Sequence, residues 1–248
     1  MKNILITGAS SGLGEALARA YAGPSVRLFL TGRNLQRLDA VALACRSLGA
    51  QVEARPVDVA DRAAMAQWLA FADEQQLDLV IANAGISAGT AAGDPAQRTR
   101  EIFTVNIDGV LNTVLPVIEP MRRRGRGQIV LIASLAGFRG LPSTPAYGAS
   151  KAAVRVWGEG LRGWLARDGV GVTVVCPGFV SSRITDLNRF PMPFLMSAEK
   201  AARLIRQGIE ANRARVGFPW PMLALVRLLA ALPHSWSEWL VRRLPAKE

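Results

Sequence analysis

Short apolar runs, most of them almost continuous, alternate along the chain with longer segments whose apolar residues recur three and four positions apart. The runs are Ile4-Leu5-Ile6, Val26 to Leu30, Val52 to Val57, Leu77 to Ala82, Gln128 to Ala133 and Val170 to Cys176, with a weaker one from Arg215 to Phe218. Strands covered on both faces read this way, because neither side chain direction meets water. The longer segments predict helices at Leu13 to Ala22, Leu35 to Leu48, Arg62 to Ala72, Pro95 to Arg122, Pro145 to Arg167 and Ala198 to Ala211. Asp61 and Ser197 stand where helix N-caps are wanted. Strand and helix alternating this regularly predict an α/β fold with a doubly wound parallel sheet of about seven strands and helices on both faces. No linker, repeat or low-complexity stretch interrupts it.

The first strand runs into Thr7-Gly8-Ala9-Ser10-Ser11-Gly12-Leu13-Gly14, which opens a helix. Glycines at such a turn let the backbone approach a pyrophosphate, and the helix N-terminus supplies N–H donors and a positive dipole. A Walker A loop is excluded, since no Gly-Lys-Ser/Thr follows. The turn therefore predicts a Rossmann-type dinucleotide site formed by Gly8, Ser10, Ser11, Gly12, Leu13 and Gly14. Cofactor choice is read at the end of the second strand, Thr31-Gly32-Arg33-Asn34. An acid there would bind the ribose hydroxyls of NAD; instead Arg33 offers a guanidinium suited to a 2′-phosphate. NADP(H) is expected over NAD(H).

Further along, Ser134 closes the fifth run, and Tyr147 and Lys151 follow at a spacing of four on one helix face. An ammonium near a phenol favours the phenolate, so Lys151 is expected to lower the Tyr147 pKa and ready it for proton exchange with an alcohol or carbonyl. Ser134 can hydrogen-bond the same substrate oxygen. Tyr147 is one of only two tyrosines. The glycine spacing T-G-x-x-x-G-x-G, the Asn83-Ala84-Gly85 turn, the Ser134, Tyr147 and Lys151 set, and the Pro177-Gly178 segment together resemble the short-chain dehydrogenase/reductase family over residues 2 to about 218. The resemblance implies Tyr147 as acid/base, Lys151 holding the nicotinamide ribose, Ser134 positioning the substrate and Asn106 joining a water relay to the lysine. It also implies Asp58 and Val59 at the adenine, Asn83, Ala84 and Gly85 beside the cofactor, and Pro177, Gly178, Val180 and Ser182 near the nicotinamide. Ser182 stands where the family usually has threonine. The implied activity is NAD(P)-dependent hydride transfer between a carbonyl and an alcohol. Two alternatives stay open: an NAD-dependent sugar or secondary-alcohol dehydrogenase, and a non-catalytic dinucleotide-binding sensor.

Composition narrows the chemistry. With one histidine, His234, and two cysteines, Cys45 and Cys176, neither a histidine-based triad nor a disulfide framework or metal cluster is expected. The net charge of +11 is carried by 26 arginines and four lysines. The Arg122, Arg123, Arg124 and Arg126 cluster has no interleaved aromatics, so no nucleic-acid partner is expected. Ile4-Leu5-Ile6 is shorter than the ~7–15 residues of a signal-peptide core, and a cytoplasmic protein, forming homo-oligomers, is expected. The longest apolar candidate, Met222 to Leu232, is broken by Arg227.

Two regions bear on substrate and partners. Arg183 to Met196 occupies the usual place of a substrate lid and is apolar, which favours an apolar carbonyl or alcohol substrate. Residues 1–218 read as the dinucleotide-binding and catalytic unit, and 219–248 as a short helical extension of the same domain. That tail holds Trp220, Trp236 and Trp239, half of the tryptophans, with Leu240 and Leu244 at helical spacing and a capping box at Ser235-x-x-Glu238. It can pack on its own domain or a partner subunit, lie on an anionic membrane surface, or cover the substrate entrance.

Overall fold

The computed structural model of the chain describes residues 1–87, 94–182, 185 and 191–241. Seven parallel strands form one sheet: β1 (Lys2–Thr7), β2 (Val26–Thr31), β3 (Gln51–Arg55), β4 (Leu79–Ala82), β5 (Gly127–Ile132), β6 (Val170–Pro177) and β7 (Arg215–Phe218). Their order across the sheet is β3-β2-β1-β4-β5-β6-β7. The chain steps outward from β1 to β2 and β3, then returns to lay β4 on the other side of β1. A crevice opens at this reversal, beyond the carboxyl ends of the strands, which is where ligands bind in open α/β sheets.

Successive residues of each strand enter opposite cores. Leu5, Phe29, Val80, Ala82, Ile129 and Leu131 join one cluster, with α3 (Arg62–Asp73), α5 (Gly109–Arg124) and α6 (Pro145–Leu165). Ile4, Ile6, Leu28, Leu30, Leu79, Ile81, Val130 and Ile132 join the other, with α1 (Gly12–Tyr21), α2 (Leu35–Ser47) and α7 (Ala198–Glu210). The two-sided burial explains why the runs look continuously apolar. Edge strand β3 alternates instead, with Gln51, Glu53 and Arg55 in water and Val52 inside. Asp61 and Ser197 cap their helices as expected, accepting from the backbone N–H groups of Ala64 and Lys200. Asn34 and Asp94 cap α2 and α4 (Pro95–Phe103) in the same way.

The predicted long helix from Pro95 departs from regular geometry. Between α4 and α5 the segment Thr104–Asp108 is a π-helix, a wide turn that sequence periodicity does not signal and that recurs at functional sites. The run Pro95–Arg124 is long and apolar enough to cross a membrane, which the hydropathy reading of Met222 to Leu232 overlooked. Half of its most apolar 18-residue window is buried in the fold, as in a core helix. Arg124 at its end makes a two-pronged ion pair with Asp73 at 2.7 and 2.8 Å, tying α5 to α3. Near the C-terminus, α8 (Trp220–Ala231) and α9 (His234–Val241) follow β7. Because α9 begins at His234, Ser235 sits inside its first turn and cannot be the N-cap of the expected capping box.

Candidate active site

The glycine turn forms the floor of the crevice. Gly8 and Gly12 have φ of 65° and 58°, a left-handed backbone that glycine takes at little cost. A Cβ on Gly14 would strike the Gly8 carbonyl oxygen and come within 2.6 Å of Asn83 Nδ2, so α1 can start this close to the turn only with a hydrogen there. Ser11 is the N-cap of α1 but makes no side-chain capping bond, and its hydroxyl remains available to a ligand at the helix terminus. Leu13 is half-buried against the second core. An open glycine cradle at a helix N-terminus whose cap hydroxyl is not spent on the helix fits a dinucleotide pyrophosphate.

Thr7, which the motif reading passed over, stitches this turn to the next. Its Oγ1 accepts from the backbone N–H of Asn83 and of Ala84, each at 3.1 Å. Asn83 Nδ2 donates in return to the Thr7 carbonyl at 2.9 Å. Around the crevice, Gly32 lies against Ser10, with room for a Cβ only 2.9 Å from Ser10 Oγ, and Arg33 beside it is exposed. Asp58 caps its own turn by accepting from Ala60 N–H at 2.9 Å. Val59 is buried, and Asn112 of α5, also unforeseen, donates to its carbonyl at 2.9 Å.

Ser134, Tyr147, Lys151 and Asn106 converge at the carboxyl end of β5. The Ser134 hydroxyl, near enough to Tyr147 to lower its pKa, accepts from the Ala136 N–H at 3.1 Å and reaches the Pro177 carbonyl at 3.4 Å. Lys151 is 4% exposed, and its Nζ donates to the Ile132 carbonyl at 2.9 Å. It lies 5.8 Å from the centre of the Tyr147 ring. A Cβ on Gly85 would sit 3.2 Å from both Lys151 Nζ and Asn106 Oδ1, so the Asn-Ala-Gly turn leaves the lysine its place. Asn106, fully buried in the π-helix, exchanges two hydrogen bonds with the Ile86 backbone at 2.8 and 3.0 Å and donates to Ser150 Oγ at 3.0 Å.

The electrostatics correct one expectation. Burial pushes the Tyr147 hydroxyl above its ordinary pKa, and the Ser134 hydrogen bond pulls it only part of the way back. The Lys151 charge does not bring it down as the spacing suggested. Burial acts on the lysine instead and lowers its pKa to about 8. Beneath it, burial raises the Cys176 thiol to about 11, so this free cysteine stays protonated and inert.

The Pro177-Gly178 segment closes the crevice from the other side. Ser182 lies across Gly12, whose Cβ would stand 3.0 Å from Ser182 Cβ. Val180 bridges to Met196, and the buried Thr185 binds the Ser182 N–H at 2.8 Å and donates to the Val180 carbonyl at 3.1 Å. Of the expected lid, Pro191 to Met196 is described, with Phe194 and Leu195 exposed; apart from Thr185, Arg183 to Phe190 lies outside the described residues. So do the side chains of Trp239 and Leu240, and Arg242, Arg243, Leu244 and Lys247.

A second network, invisible in the sequence, holds the serine turn against α6. A Cβ on Gly137 would lie 2.7–2.8 Å from backbone atoms of Lys151 and Ala152, so the turn and the helix meet backbone to backbone. Arg155, one helical turn past Lys151, donates to the Gly137 carbonyl at 3.3 Å and to Glu159 at 3.0 Å. Phe138 is flanked by the guanidinium groups of Arg155 and Arg215, at 4.8 and 5.6 Å from its ring centre, and Glu159 pairs with both arginines. On the outer side of this turn, a groove of about 620 Å³ is lined by Phe138, Leu141, Pro145, Ala149, Arg155 and Glu238, among others.

A reversed parallel sheet with a glycine turn at its crevice, and a Ser, Tyr and Lys set across from it, defines the class of nucleotide-dependent oxidoreductases. Comparison with known proteins makes the assignment. Residues 2–190 match the family model for short chain dehydrogenases. An uncharacterized oxidoreductase of Myxococcus xanthus is 41% identical over 246 residues, 98% of this chain and 97% of the relative. A short-chain dehydrogenase/reductase of Burkholderia phymatum, solved with NAD, superposes with a TM-score of 0.83 at 27% identity, covering 100% of this chain and 97% of that one. A short-chain dehydrogenase of Sphingobium yanoikuyae, solved with NADPH, gives 0.80 at 26% identity over 95% and 98% of the two chains. The chain belongs to the short-chain dehydrogenase/reductase family of oxidoreductases.

The backbone contact at Gly137 is directly testable. Gly137→Ala should cost about 1–3 kcal/mol, the usual penalty for overpacking, seen as a lower urea midpoint. It should also cut turnover more than cofactor binding, because the added methyl pushes Ser134 away from Lys151 and Tyr147. Unchanged stability together with unchanged turnover would show that the turn yields without disturbing the serine.

Proposed function

We propose that the protein is an NADP(H)-dependent oxidoreductase that interconverts a carbonyl and an alcohol on a small apolar substrate in the cytoplasm. The observation that carries the reading is the convergence of Ser134, Tyr147 and Lys151 at the end of β5, facing the crevice of the glycine turn. When bound, the nicotinamide supplies the hydride for reduction or accepts it in oxidation. Gly8, Ser10, Ser11, Gly12 and Gly14 would hold its pyrophosphate, and Asp58, Val59 and Asn83 would lie along its adenosine side. Lys151 would take the nicotinamide ribose. In reduction the Tyr147 hydroxyl gives its proton to the carbonyl oxygen as hydride reaches the carbon, and the product is the alcohol. Ser134 donates to the same oxygen and fixes it in front of the tyrosine. A tyrosine whose pKa is raised by burial keeps its proton at neutral pH, and so is ready as the acid.

NADP(H) is favoured by the exposed Arg33, next in sequence to Gly32, which lies against Ser10 and offers no carboxylate to bind a ribose hydroxyl. The exposed Phe194 and Leu195 of the lid segment support an apolar substrate.

Replacing Tyr147 by Phe should leave NADPH binding intact and lower turnover of any aldehyde or ketone substrate by about 10²-fold or more. Turnover near the wild-type rate would refute the assignment of the acid. In Arg33→Ala, fluorescence titration should show NADPH binding weakened by about 10- to 100-fold and NADH binding little changed, the scale of a lost charged hydrogen bond. Wild-type protein that binds NADH as tightly as NADPH would reverse the cofactor assignment. Lys151 loses its proton as pH rises through about 8, and with it the charge that attracts an anionic cofactor. The dissociation constant of NADPH should therefore climb above that pH in the wild type and stay level in Lys151→Met.

A further inference from the structure

Helix α8 is apolar on every side. Arg227 is its only charged residue, and none of its residues is fully buried. One face has a partner within the fold: Met222, Leu223 and Val226 pack against the core, with Leu223 over Gly217 of β7 and Met222 Sδ against Gly178. The opposite face has none among the described residues. Trp220 is 77% exposed, Leu225 56% and Leu228 60%, and Trp236 of α9 adds another 67% exposed surface. Scattered exposed apolar residues are ordinary, but four large ones within a single short stretch mark an interaction surface.

The charge of the chain decides between occupants. A second copy would bring the same tail, with its excess of Arg and Lys over Glu, to this face, and like charges at close range oppose association. Residues 219–248 carry Arg227, Arg242, Arg243 and Lys247 against Glu238 and Glu248, so the tail itself is cationic. An anionic bilayer complements both features. Tryptophan rings settle at the headgroup level, leucines enter the acyl boundary, and arginine stems reach back to the phosphates. At about 18 Å, α8 is too short to span a hydrocarbon core of about 30 Å, and its length suits lying in the interface.

We propose that the outer face of α8 and α9, formed by Trp220, Leu225, Leu228 and Trp236, docks the protein on an anionic lipid surface. The first turn of α8 is packed on Gly178, and the lid end at Met196 is bonded to Phe179 and Ser181 of the same loop. Docking through α8 therefore brings the crevice mouth, with exposed Phe194 and Leu195, next to the bilayer. An apolar substrate could then be taken from the lipid side. The docking surface itself does not rest on the proposed reaction, and its test uses no turnover.

The full-length protein should float with vesicles of phosphatidylcholine mixed with phosphatidylglycerol at low salt, and not with phosphatidylcholine vesicles alone. The double variant Leu225→Glu, Leu228→Glu changes only exposed positions, so it should keep the wild-type melting temperature while losing about tenfold or more of the binding. Absence of binding to the mixed vesicles, or equal binding to both kinds, would overturn the proposal. A wild-type oligomer in lipid-free buffer that the same variant dissociates would also overturn it, by giving the face to a second copy. If the variant melts early, wild-type tryptophan emission decides: quenching by brominated lipid in the mixed vesicles supports docking, and unchanged emission refutes it.

Discussion

A cationic amine in the interior is the constraint around which this fold is arranged. Lys151 is almost entirely buried, and its one described hydrogen bond goes to a backbone carbonyl, Ile132. No carboxylate is paired with it among the described ion pairs. Removing a charge from water without a counter-charge is costly, and burial lowers the lysine's pKa for that reason. Nothing about folding alone asks for it. The neighbours are shaped to accommodate the ammonium: Gly85 supplies the space, Asn106 is locked beside it by three hydrogen bonds, and Gly137 allows the serine turn to touch the helix backbone at the lysine itself. Buried groups with displaced pKa values gather at functional sites because chemistry, and not stability, retains them.

The fold was legible because its signals are local. The inner strands appear as apolar runs since they are covered on both sides, and each cap at Asp61 and Ser197 is a side chain bonding its own helix. The glycine turn and the Tyr147–Lys151 spacing are equally local, and the chain belongs to the family they resemble. What could not be read depends on distant residues meeting. Gly137 is one glycine among 23, and only the approach of α6 makes it indispensable. Arg155 and Arg215 look like two more surface arginines until both are found against Phe138. The π-turn is hard to read in the apolar spacing because it spans only five residues, Thr104–Asp108, less than the window over which a period shows. The direction of the Tyr147 shift was misjudged for a related reason: spacing reports the nearest charge, whereas burial is set by the whole fold.

The tail shows the same limit from the other side. Its helical character and its tryptophans were evident, but which face would meet the domain was not. Met222, Leu223 and Val226 turn inward because Gly217 and Gly178 leave hollows for them. The remaining residues face outward by default. A capping box placed at Ser235 misses by two positions, as Pro233 supplies the carbonyl that accepts from Ser237 N–H and so starts the helix earlier.

The Thr7 to Asn83 stitch also has a kinetic meaning. It joins residues 76 positions apart, and it is what holds the glycine turn to the turn after β4. Contacts of such long separation form late, after the intervening chain has lost its freedom. A growing chain that has made β1, α1 and β2 thus holds every residue of the glycine turn and still lacks the crevice, which is complete only once β4 lies between β1 and β5. Any ligand that occupies the crevice stabilises the closed sheet and not its precursors, so ligand concentration becomes a term in how completely such a chain folds.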